Sequence, residues 1–157
     1  MKLSKKNILF PLLILSAFRA KAQELLNTNE NQIKKYMNAK GGILKFEELQ
    51  NDEVLGGRYN ELIYTFPKSK VEVSDILFMT FYLTVKNKCV RYFTAYKTNK
   101  FLKDLINNFD NPNSGLTRID KTMKWINKNK NYEIEILTSR FSSRKSTAFV
   151  LDIYQKE

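Results

Sequence analysis

The sequence predicts an α+β fold: a mainly antiparallel sheet of five to seven strands with two or three helices packed on one side. Three observations carry this. Residues 76–85 and 89–96 alternate in the manner of strands and are split by Asn87-Lys88, which reads as a hairpin turn. Residues 24–39 and 101–109 repeat apolar side chains at helical spacing instead. Strand-like runs follow each helix, so the order is α, about four strands, α, about three strands.

Taken in order, Leu25, Leu26, Ile33, Tyr36 and Met37 give the first helix an imperfect apolar stripe, and Gly41-Gly42 stops it. Asn29 or Asn31 is placed to cap a shorter version. Residues 43–49 and 59–66 are strand-like and are joined by a polar loop ending in Gly56-Gly57. In the central hairpin, Leu77, Met79, Phe81, Leu83 and Val85 share one face and Phe78 and Tyr82 the other, as for a strand inside the sheet. Thr98 or Asn99 then caps a helix carrying Phe101, Leu102, Leu105, Ile106 and Phe109, which residues 111–115 end with a run of turn formers. Thr117-Arg118-Ile119-Asp120 has capping-box form and admits a third helix through Ile126, whereas Met123 to Ile126 also reads as a strand entering a turn. The strand reading is favoured, because Tyr132, Ile134 and Ile136 continue the alternation with Glu133 and Glu135 opposite. Residues 147–154 give the last strand.

The first 22 residues stand apart from this domain. Lys2, Lys5 and Lys6 precede an almost wholly apolar run at 8–18, and Ala20-Lys21-Ala22 supplies small residues at a cleavage position. The run is far shorter than the roughly 20 residues that span a bilayer, and Pro11 interrupts it. The segment resembles bacterial signal peptides whose mature chain begins with glutamine, here Gln23, and no nearby cysteine could accept a lipid. The expected organisation is a cleaved signal at 1–22 and one α+β domain at 23–157, exported to the periplasm or beyond the cell. No transmembrane segment is expected in the mature chain.

Charge is uneven along the expected mature chain. Residues 23–75 hold seven basic and nine acidic side chains, and residues 76–157 hold fifteen and seven. A basic C-terminal part favours an anionic partner by steering, and also serves solubility.

Chemical motifs are few. The chain has no histidine and one cysteine, which removes most metal sites and imidazole-based mechanisms, and neither a phosphate loop nor an EF-hand pattern occurs. Neither a metal nor a cofactor is expected. Cys89 lies in a strand-like run, where a lone cysteine is either buried and inert or pairs between chains. Ser142 and Lys145 have the S-x-x-K spacing, but in a turn and without its companion motifs. Glu133 and Glu135 stand about 7 Å apart along one strand face, a separation usable in glycoside hydrolysis, but on the outer face they read as hydrated charge. The interleaved Lys88, Arg91, Tyr92, Phe93, Tyr96 and Lys97 suit nucleic acid only if the aromatics are exposed, so nucleic acid is disfavoured as a partner.

What remains is a small exported binding protein, the partner or inhibitor of another envelope or secreted protein. Arg140, Arg144 and Lys145 in the last loop, with Lys124, Lys128 and Lys130 near the preceding turn, are the expected contacts to an anionic protein or other envelope partner. The alternatives are a carrier of a hydrophobic ligand held between helices and sheet, and a histidine-free hydrolase of an envelope polymer using Glu133 and Glu135.

Overall fold

The computed structural model describes residues 25–52, 56–66, 75–138 and 148–155. Two helices, α1 (Glu30–Lys40) and α2 (Leu102–Phe109), lie on one face of an eight-stranded antiparallel sheet. The strands are β1 (Ile43–Asp52), β2 (Gly57–Thr65), β3 (Ile76–Leu83), β4 (Cys89–Tyr96), β5 (Thr117–Arg118), β6 (Lys124–Asn127), β7 (Tyr132–Thr138) and β8 (Phe149–Gln155). Their order across the sheet is β1-β2-β3-β4-β8-β7-β6-β5. Each helix is thus followed by a four-strand meander, and the two meanders join through their last strands, β4 and β8. The α+β reading holds, with one strand more than the upper end of the expected range. The added strand is β5, whose two residues are too few to show a period.

α1 begins later than its apolar stripe suggests. Asn29 accepts from the Gln32 amide at 2.9 Å and Gln32 accepts from the Asn29 amide at 2.9 Å, a complete capping box. Leu25 and Leu26 are buried, but the chain turns at Asn27, φ 66°, so they do not extend this helix. Ile33 and Met37 point fully into the core, and Gly41 closes the helix in the left-handed region that glycine adopts without cost. Asn87, itself at φ 59°, makes the β3–β4 turn and also accepts from the Glu30 amide at 3.0 Å, tying hairpin to helix.

The helix-covered face of the sheet carries Leu62, Tyr64, Met79, Phe81, Leu83, Tyr92, Leu151, Ile153, Ile134 and Trp125, all buried. Full burial of such side chains contributes about 1.5–3 kcal/mol each. Register shifts in β3 beside Leu77 turn Ile76 inward, and β3 ends at Leu83, so Val85 is 81% exposed in the turn and not part of the inner face. At α2 neither Thr98 nor Asn99 caps by side chain: Phe101 occupies the N-cap, and the Asn99 carbonyl accepts from Leu102 N–H. Phe109 meets Trp125 edge-on at 5.1 Å, and Asp110 accepts from the Trp125 indole at 2.8 Å. The 117–127 stretch is β5, a turn and β6, in agreement with the strand reading.

One cross-strand pair runs against stability. Glu48 and Glu61 stand directly opposite each other on β1 and β2, on the face away from the helices. Like charges so placed repel. Glu48→Lys is therefore expected to stabilise the fold by about 0.2–1 kcal/mol, read as a higher midpoint in urea; a lower midpoint would show that Glu48 is held by something other than this pairing.

Candidate functional site

Topology brings two lysine-bearing turns to one end of the sheet. β4, β8 and β7 alternate in direction, and the registers Arg91↔Tyr154 and Tyr132↔Gln155 bring the β3–β4 turn and the β6–β7 turn to the same end. Lys86 and Lys88 stand on the first turn and Lys128 and Lys130 on the second, all four exposed. Three strand spacings separate the turns, about 14 Å. Asn127 shapes the second turn, its side-chain oxygen accepting from the Lys130 amide at 3.0 Å. Across described residues 76–138, eight lysines are exposed against three aspartates. The basic bias of the C-terminal part is therefore a property of the surface there.

Of the expected contact set, Lys124, Lys128 and Lys130 lie among the described residues. Arg140, Arg144 and Lys145 lie outside the described residues, as does the Ser142–Lys145 spacing. The residues flanking that loop, Thr138 and Ala148, are at the far end of β7 from Lys128 and Lys130. Seven residues of strand set those ends about 20 Å apart. Lys124 belongs to neither end. Its ammonium bonds Glu133 at 2.6 Å and lies 5.3 Å from the centre of the Tyr154 ring. Lys86 escaped the sequence reading and Lys88 entered it only among the interleaved basic and aromatic residues, although their position beside Asn87 in the clearest hairpin was a usable signal.

Two acidic groups of the C-terminal part, Glu133 and Asp152, are buried and engaged internally. Glu133 is 5% exposed, not hydrated as its outward alternation suggests; beyond the Lys124 contact, it accepts from the Tyr154 hydroxyl at 2.8 Å. Long Lys and Tyr side chains lean over it from the neighbouring strands, which a one-dimensional alternation cannot register. The hydrogen bond to Glu133, then that to Tyr154, holds the Lys124 ammonium charged well above its ordinary range, while burial raises the Tyr154 phenol. Asp152, 3% exposed, takes Arg91 in a two-point pair, Nε to Oδ1 at 3.1 Å and Nη2 to Oδ2 at 2.8 Å, and the guanidinium rests 5.5 Å from the Tyr82 ring centre. Arg91 is on β4 and Asp152 on β8, so this pair spans the junction of the two meanders.

Cys89 is buried with no exposed surface, and burial pushes its thiol up to about 12. A thiolate nucleophile needs the opposite shift. Tyr92 and Tyr96 are buried under the helices, Trp125 is fully enclosed, and Phe93 packs against Phe78 and Tyr82 on the other face. Tyr92, Tyr96 and Trp125 are therefore not placed to stack on bases. Among the described residues no three acidic, histidine or cysteine side chains group as metal ligands, and no helix is long and apolar enough to cross a membrane. No protein-family model, curated protein or solved structure matches the chain.

Proposed function

We propose that this chain is an exported binding protein that engages an anionic surface of another envelope or secreted protein through the turns bearing Lys86, Lys88, Lys128 and Lys130. The observation that carries the reading is the lysine excess on the described C-terminal surface, with four lysines at one end of the sheet and Glu133 and Asp152 neutralised from within by Lys124 and Arg91. A hydrogen-bonded hairpin turn and a hydrogen-bonded second turn present the charges side by side, which favours electrostatic steering and register over bulk affinity. Glu133, tied to an ammonium and a phenol, is poorly placed to serve as the proton donor of the hydrolase alternative. Export rests on the signal-like segment 1–22.

The test is capture from the exported fraction of the protein's own cells, followed by native mass spectrometry. The expected chain mass begins at Gln23, with a co-purifying acidic protein released by rising salt. Reversing Lys86, Lys88, Lys128 and Lys130 to glutamate should reduce capture by about tenfold or more and flatten its salt dependence. Reversing Lys97, Lys100, Lys103 and Lys121 makes the same change in net charge and should leave capture near the parent level. Equal loss in both variants would reduce the site to undirected net charge.

A further inference from the structure

The sheet has two edges of different character. β5 closes one side with two residues, whereas β1 runs for ten, and among the described residues no strand pairs with its outer side. Proteins usually blunt a long edge with charge, proline or strong bulges, because free N–H and C=O groups template further pairing. β1 has a register shift beside Lys45 but is regular from Phe46 to Asp52. It also holds three of the four exposed large apolar side chains among the described residues: Ile43 at 47%, Leu44 at 36% and Leu49 at 48%.

The charges on this edge state what should lie against it. On the helix side, Glu47 is already paired with Lys34 at 3.1 Å. On the other side Glu48 opposes Glu61, and among the described residues neither carboxylate has a cationic partner. A strand added to β1 would bring its own side chains directly opposite these positions. Apolar residues would cover Leu49 on one face, and a lysine or arginine on the other would relieve the Glu48–Glu61 repulsion.

A second copy of β1 answers this pattern poorly. Antiparallel self-pairing centred on Glu47 or Glu48 sets identical carboxylates opposite each other, and centred on Gln50 it sets Glu48 against Asp52. Centred on Leu49, the regular segment pairs only over residues 46–52 and leaves Ile43 and Leu44 uncovered. We propose that β1 is a strand-addition site for an extended segment of a partner protein in which lysine or arginine alternates with apolar residues. This surface is separate from the lysine-bearing turns, and the inference stands without them.

The probes are synthetic peptides matched to β1 in length: alternating Lys-Val, alternating Glu-Val, and a block peptide of the Lys-Val composition. With the whole chain, the alternating Lys-Val peptide should bind at least about tenfold more tightly than either control, and its binding should slow amide exchange along residues 43–52. Glu48→Lys should reverse the preference toward Glu-Val, and Glu48→Gln should lower Lys-Val affinity without reversal. Block peptide binding as well as alternating peptide, or slowed exchange confined to other segments, would overturn the proposal. So would a dimer whose β1 amides are protected without peptide and released on dilution, because the occupant would then be a second copy.

Discussion

Asp152→Ala is expected to destabilise the fold by about 3–5 kcal/mol, the cost typical of breaking a buried ion pair from one side. Arg91 and Asp152 side chains are 15% and 5% exposed, and their two-point contact joins strands 61 residues apart in sequence. Removing the carboxylate leaves the guanidinium inside the β4–β8 junction without its principal counter-charge. The paired replacement Arg91→Met with Asp152→Leu should recover most of the loss, since an apolar pair of similar volume avoids the desolvation of both ions. Urea unfolding of both variants decides the matter. A loss below about 1 kcal/mol in the single variant would place the pair among ordinary surface salt bridges. Because the junction sets the distance between the two lysine-bearing turns, the single variant should also weaken partner capture at temperatures where it remains folded.

Stability is expected to fall steeply at alkaline pH. The buried Cys89 thiol titrates near 12 when folded, against about 9 when free. Between those values the unfolded chain gives up a proton that the folded chain keeps, so rising pH favours unfolding, by about 4 kcal/mol across the window. Burial raises Tyr92 and Tyr96 as well, which adds losses of the same sign above pH 10. The raised Lys124 acts in the same direction, its stabilisation being present below the free lysine value and lost as pH rises through the folded one. Urea midpoints measured at increasing pH should stay level up to about pH 8.5 and then drop. Cys89→Ala should be less stable at neutral pH by about 1 kcal/mol from lost packing, yet lose less on the alkaline side. Native protein should also resist thiol reagents until denatured, which free reaction at neutral pH would contradict.

Much of this architecture was legible along the chain because its signals are local. The β3–β4 hairpin, the inward set Tyr132, Ile134 and Ile136, the glycine stop at Gly41, the capping candidate Asn29 and the burial of Cys89 each depend on neighbours within a turn or a strand. Misreadings came where two local rules competed. Leu25 and Leu26 extend the stripe of α1 but precede its capping box, and Val85 continues the alternation of β3 into a turn. The repetition of helix and four-strand meander was read short of one strand, because the two residues of β5 carry no period.

The candidate surfaces were less legible for a different reason. Lysine at 86, 88, 128 and 130 can be read from the chain, but their common end follows from β8 inserting antiparallel between β4 and β7. The burial of Glu133 and the Arg91–Asp152 pair depend on that same insertion. The sequence by itself determined the class of fold, most of its strands and the want of histidine, since periodicity and composition act over a few residues or over none. The tertiary structure alone decided which charges meet, which end each turn occupies and which edge is unpaired among the described residues. Strand order and register bring together residues dozens of positions apart, and no local pattern carries that information.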